Sequence, residues 1–239
     1  MSSVFGDDAV GDVNYKRMVS LGISCQTAHQ LRRLESSQPD ADISSEVEAP
    51  PSLFDWLICP SASAVELLNK RFPEFTRSSI AIYKGRPYWS DFNIYFWHSF
   101  LFTEGGARTI NIDATFEREL RRWRFLCDRF SALDPTDTVF VISNTQNNLE
   151  TEVFEPSERD QYHFTDTGMN TLRDSLAKYF HTDADNIELQ IVTRENRSCG
   201  LTPNAEVSFL PVDQNEWKGS KQSWNNWWQQ QLNRYQGSP

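Results

Sequence analysis

Cys25 stands in the stretch Met18-Val19-Ser20-Leu21-Gly22-Ile23-Ser24-Cys25-Gln26-Thr27-Ala28-His29. The stretch reads as a short strand, a tight turn at Gly22, and a helix that starts at Ser24 or Cys25. A thiol at a helix N-terminus meets unpaired backbone N–H groups, which favour negative charge and lower its pKa. Such a thiol attacks a carbonyl carbon when an imidazole within hydrogen-bond reach takes its proton and an acid or amide orients that imidazole. The chain has four histidines. His29 lies on the same helix and points along it rather than at the thiol. His181 follows a helix end, and His163 sits in a polar loop. His98, in Trp97-His98-Ser99-Phe100, lies among aromatics at a strand end, where a base is held rigidly and shielded from water. It is the candidate general base. Asp55, Asn93 and Asp113 are the candidates to orient it.

Asp55 interrupts the apolar run Ser52-Leu53-Phe54-Asp55-Trp56-Leu57-Ile58-Cys59. A buried carboxylate is costly unless hydrogen-bonded or paired, so Asp55 is expected to have a fixed partner: backbone amides in a turn, or a role in shaping the site. Ser24 is an alternative nucleophile, since a serine after a strand and a glycine turn is also placed for attack, with Cys25 then merely packed. Other chemistries lack their residues. Cys25, Cys59, Cys127 and Cys199 show no C-x-x-C spacing and no histidine in metal-binding order, so no metal is expected. There is no G-x-G-x-x-G and no P-loop, and no cofactor is expected.

These side chains need elements to hold them. A strand over residues 16–23 feeds a helix to about residue 34, with Ala28, Leu31 and Leu34 at helical spacing. Residues 1–14 read as a disordered tail and residues 35–51, rich in Ser, Pro, Asp and Glu, as a flexible loop. Ser61 or Ser63 is expected to cap a helix to residue 71. Residues 80–83, 87–89 and 93–100 alternate aromatic and polar positions as short irregular or antiparallel strands, with a loop at Glu104-Gly105-Gly106. A helix over 114–130 presents Phe116, Leu120, Trp123, Cys127 and Phe130 on one face. Arg118, Arg121, Arg122, Arg124 and Arg129 crowd its other faces, as a solvated surface paired with local acids or as an anion-binding patch. Residues 138–143 and 187–193 are buried-type strands, with a long loop over 144–160 and a helix over 166–180 between them. A short strand over 207–212 and a helix over 221–235 complete the chain. That last helix places Trp224, Trp227 or Trp228, and Tyr235 on one face, docked onto the body or offered to a protein partner. The alternation predicts a single α/β domain over 15–239, with a mixed, largely parallel central sheet flanked by helices and an irregular antiparallel middle section.

The net charge of −10 disfavours bulk attraction to nucleic acid or anionic membranes. No run approaches the roughly eighteen apolar residues of a membrane helix. Residues 1–15 hold three Asp and no basic residue, unlike a signal peptide. A cytoplasmic protein is expected, its cysteines reduced.

The ordered set Ser20-Leu21-Gly22-x-x-Cys25, Leu31-Arg32-Arg33, Phe54-Asp55-Trp56 and His98-x-Phe100 resembles a family of mostly bacterial proteins of unknown function classed as papain-like cysteine peptidases. The Arg-rich run over 118–130 and the strand over 138–143 fit the same pattern, which covers about residues 16–195. The resemblance implies a thiol nucleophile at Cys25, a base at His98 and Asp55 as a near neighbour. The expected function is a cysteine-dependent hydrolase or acyl transferase acting on a peptide or amide, with backbone N–H groups at the start of the first helix stabilising the oxyanion. The alternatives are a transferase-like or binding domain for an anionic small molecule, with Cys25 structural, or a non-catalytic interaction module.

Overall fold

A glycine at the turn between first strand and first helix lets the chain reverse without a side-chain clash. The computed structural model describes residues 17–36, 52–147, 156–212 and 217–236. Strand β1 (Arg17–Ser20) runs into the turn at Gly22, whose φ of +90° is open to glycine. Helix α1 (Cys25–Glu35) follows. Next come a short strand β2 (Leu57–Ile58), helix α2 (Ser61–Asn69) and strands β3 (Ile80–Tyr83), β4 (Arg86–Trp89) and β5 (Ile94–Phe96). Strands β6 (Leu101–Glu104) and β7 (Ala107–Ile110) form a hairpin, and helix α3 (Ile112–Ser131) succeeds it. The remainder is β8 (Thr138–Ser143), α4 (Asp166–Phe180), β9 (Glu188–Thr193), β10 (Val207–Phe209) and α5 (Lys221–Gln236).

Four of these strands make a parallel sheet in the order β1-β8-β9-β10. Parallel strands are covered on both faces, so they read as continuous apolar runs. β8 shows this residue by residue. Val139 and Val141 pack with Met18, Leu31, Leu34, Trp224, Trp227, Trp228 and Leu232, which places α1 and α5 on one face. Phe140 and Ile142 join the larger core on the other, with Val19, Leu21, Phe130, Leu172 and Leu189 among its members. An antiparallel sheet in the order β2-β5-β4-β3 contributes Ile80, Trp89, Ile94 and Phe96 to that larger core. The architecture is the α/β fold that the alternation predicts: a parallel sheet flanked by helices, with an antiparallel middle section.

Local chemistry explains most element ends and corrects a few expectations. Asn111 caps α3 by accepting from the Ala114 N–H, and Thr165 caps α4 by accepting from the Gly168 N–H. Neither Ser61 nor Ser63 caps α2; Pro60 occupies that position and gives no side-chain bond. The loop expected at Glu104-Gly105-Gly106 is the turn of the β6–β7 hairpin, with both glycines left-handed. The loop expected over 144–160 opens with buried residues, Asn144, Thr145 and Gln146, because side chains from the neighbouring strand end enclose them. The expected tail and the body of the expected 35–51 loop lie outside the described residues. Trp224, Trp227 and Trp228 are buried against the sheet, so burial uses the surface that a protein partner through the C-terminal Trp cluster would need. Among the described residues no helix is long and apolar enough to cross a membrane.

Candidate functional site

Cys25 is the first residue of α1, just past the carboxyl end of β1. The turn before it is tied firmly to the sheet. The Leu21 N–H donates to the Val141 carbonyl at 2.8 Å, the Ile23 N–H to the Ser143 carbonyl at 3.1 Å, and the Ser143 N–H to the Gly22 carbonyl at 2.9 Å. The Thr27 hydroxyl also donates to the Gly22 carbonyl, at 2.8 Å. These bonds fix Ser24 and Cys25 just beyond the carboxyl ends of the parallel strands, the side on which open α/β sheets usually bind ligands. The thiol is 8% exposed and lies 3.9 Å from Oε1 of Gln146, to which it donates. Burial outweighs the helix terminus. Desolvation, with a smaller push from the Asp55 charge, raises the thiol pKa to about 11, although the residue's own backbone N–H pulls the other way. The lowered pKa expected of a helix-start cysteine is therefore not what this environment gives.

Asp55 has the fixed partners its burial demands. Its carboxylate pairs with the guanidinium of Arg32 on α1 and accepts the Ser52 N–H at 2.6 Å. Desolvation still dominates and raises its pKa to about 6, against the lowering by Arg32 and Ser52. The next residue, Trp56, has two cations near its ring. Arg32 is 5.4 Å and Arg122 5.7 Å from its ring centroid, distances at which the ring quadrupole attracts them. His98 meets the same indole edge-on, with ring centroids 5.4 Å apart. Cys59, at the end of this segment, donates its N–H to the Ile23 carbonyl at 3.0 Å.

Residues 52–60 thus touch the cysteine turn, α1 and His98 in succession. This segment contains Asp55 and reaches both the turn before Cys25 and His98, but among the described residues no hydrogen bond or ring contact joins Cys25 to His98, or Asp55 to His98. His98 is exposed rather than shielded, in the turn that follows β5, and its ring contact among the described residues is with Trp56. Partial burial, then the charges of Arg86 and Arg122, hold its pKa below the ordinary imidazole value. Of the expected orienting groups, Asn93 bonds Tyr88 and Gln161, and Asp113 pairs with Arg77.

The other histidines are occupied elsewhere. His29 packs on Trp217, with ring centroids 5.1 Å apart. His163 lies 3.8 Å from Asp160, and His181 accepts from Arg71 at 2.7 Å. Ser24 is 1% exposed, and its hydroxyl has no hydrogen-bond partner among the described residues.

Sequence reasoning missed the polar shelf on which Cys25 rests. Thr145 donates to Oε1 of Gln26 at 2.6 Å, and Gln26 donates to the Trp217 carbonyl at 2.8 Å. Asn144 donates to the carbonyls of Tyr162 and Arg197, at 3.0 and 2.8 Å, and accepts from Thr193 at 2.8 Å. Arg197, 5% exposed, donates to the Asn144 and Gln146 carbonyls, each at 2.5 Å. The available signal was the polar run Ser143-Asn144-Thr145-Gln146-Asn147 directly after a fully apolar strand, at the edge where such sheets carry sites.

No family model, curated protein or solved structure matches the chain.

Proposed function

We propose that the chain is a cysteine-dependent hydrolase or acyl transferase acting on a peptide or amide carbonyl, with Cys25 as nucleophile. The observation that carries this reading is the position of Cys25. It opens α1 at the carboxyl edge of the parallel sheet, where the N–H groups of a first helical turn lack intrahelical acceptors and suit a developing oxyanion. The order of motifs along the chain supports the same reading.

The thiol at rest is protonated, so attack needs a base. His98, depressed in pKa and hence a neutral acceptor at pH 7, takes this part, moving from Trp56 to within hydrogen-bond reach once substrate is bound. As sulfur bonds to the carbonyl carbon, its proton passes to His98 and then to the departing amine, leaving a thioester on Cys25. Water, giving its proton to His98, cleaves the thioester to the free acid and restores the thiol. An amine in place of water completes acyl transfer. Asp55 holds residues 52–60 against α1 and so supports Trp56, the surface on which His98 rests. A cytoplasmic setting belongs to the same proposal, since the mechanism needs a reduced thiol.

A second reading is a binding domain for an anionic small molecule at the same helix N-terminus, with Cys25 structural. It is favoured by the burial of the thiol and by the missing imidazole contact. Iodoacetamide alkylation followed against pH separates the two, with Cys199 replaced by Ser because it is exposed. Carried on a peptide that occupies the substrate's place before it alkylates, the iodoacetamide is expected of the enzyme to label Cys25 with an apparent pKa below the ordinary thiol value of about 8.5, an effect lost in His98→Ala. A Cys25 that stays inert until the pH nears 11, with or without His98, overturns the catalytic reading and leaves the binding one.

A further inference from the structure

The charges around His98 suggest a recognition role that does not depend on what Cys25 does. His98 is exposed and makes no hydrogen bond among the described residues. The two charges that act on its ring both belong to arginines, Arg86 on β4 and Arg122 on α3. Arg86 stacks on Trp97, the residue before His98, at 4.1 Å from the ring centroid. Arg122 lies over Trp56, which His98 also touches. Two indoles, one beside His98 in the chain and one in contact with its ring, therefore carry two guanidiniums into its neighbourhood.

The nearby carboxylates are already engaged. Asp55 belongs to Arg32, and the buried Glu119 accepts from Arg118 at 2.7 Å and meets Arg122 only at 3.9 Å. Arg86 has no ion pair among the described residues. A guanidinium stacked over an indole face keeps the N–H groups in its own plane free for bidentate bonding to phosphate oxygens. In a chain of net charge −10, such a cluster is a local arrangement rather than a sample of the bulk charge. Its formal charge with His98 protonated suits a dianion better than a carboxylate.

We infer that Arg86, His98 and Arg122 form a binding site for a phosphoryl group. The site faces solvent beside Trp56 and Trp97, whose ring faces and edges suit a flat moiety attached to that phosphate. Under the catalytic reading an anion held there keeps His98 protonated and away from Cys25, so phosphate acts as an inhibitor. Under the binding reading it holds the ligand's anion. Phosphate bound there favours protonated His98, so binding and protonation are linked.

The test is an NMR titration of the His98 imidazole in the full chain with inorganic phosphate, and with acetate at equal ionic strength as the second arm. Phosphate is expected to raise the His98 pKa by about half a unit or more, and acetate to leave it unmoved. Arg86→Gln, at a half-buried side chain without an ion pair, is expected to weaken phosphate binding at least about tenfold. Arg122→Gln serves as a second variant if its melting curve shows it folded. Cys25→Ser is expected to bind phosphate unchanged, which keeps failure of this site distinct from failure of the cysteine chemistry. An unmoved His98, an equal response to acetate, or full binding by Arg86→Gln overturns the site.

Discussion

Arg32 and Asp55 form an ion pair that joins helix α1 to the segment before β2, with the carboxylate 4% exposed and the guanidinium 21% exposed. Burial raises the Asp55 pKa from 3.8 to about 6, so the folded state binds a proton that the unfolded state has released. The stability gained from that proton is complete below about pH 4 and is lost as pH rises through 6, for about 3 kcal/mol in all. Urea denaturation of the native chain and Asp55→Asn is expected to show their stability difference moving against the native chain between pH 4 and 7. A difference that is flat across this range would contradict the buried-carboxylate account. Arg32→Ala is expected to cost about 3 kcal/mol at pH 7.5 and less at pH 5, where Asp55 takes up a proton.

The buried thiols give a second pH signature. Cys25 is raised to about 11 and Cys59 to about 12, both mainly by desolvation. Each contributes stability below the ordinary thiol pKa, and that stability is lost as pH climbs through the folded values. Thermal melts are expected to shift down between pH 9 and 11 in the native chain and less so in Cys59→Ala, once its cost at pH 7 is subtracted. Cys59 is fully buried, so mass-spectrometric labelling is expected to find it unmodified until the protein unfolds.

Trp227 tests how α5 is held. It is 1% exposed, packed against Trp224 with ring centroids 5.4 Å apart, and its indole N–H has no acceptor among the described residues. Trp227→Ala is expected to cost about 3–5 kcal/mol in chemical denaturation. Trp227→Phe is expected to cost clearly less, because it keeps most of the ring and removes a donor that is buried without a bond.

Gly219 lies just before α5 with φ +74°, and a Cβ there would come within 2.7 Å of Nε2 of Gln26. That same Nε2 donates to the Trp217 carbonyl. Gly219→Ala therefore meets both backbone strain and a displaced amide. It is expected to lose about 1–3 kcal/mol, and hydrogen exchange is expected to rise at the first turn of α1.

Much of this fold is legible in the sequence where one periodicity dominates. The strand over 138–143 matches β8 residue for residue, and α4 spans the range expected for it, because β8 is buried throughout and α4 buries Met169, Leu172, Leu176 and Tyr179 at helical spacing. The antiparallel middle is harder to read. Its strands are two to four residues long, too short for alternation to fix their limits, and β6 and β7 have only half-buried or exposed positions. Around the candidate site, the strand–turn–helix at Cys25 and the paired acid at Asp55 are readable from local cost. The exposure of His98 and the high thiol pKa are not, since both depend on what packs over them. The shelf of Asn144, Gln146 and Arg197 joins residues about 50 positions apart, which no local pattern can connect.

The pairing of β1 with β8 also has a consequence for how the chain is made. About 120 residues separate the two partners, and at a synthesis rate of roughly 5–20 residues per second the ribosome needs several seconds or more to bridge them. Throughout that interval Met18, Val19 and Leu21 have no sheet to join, and their apolar side chains are open to any passing strand edge. Closing so long a loop is also entropically slow. Fast dilution of the denatured chain at high concentration is therefore the condition under which this protein would be lost to aggregates, and a chaperone that covers the β1 segment would be the most direct remedy.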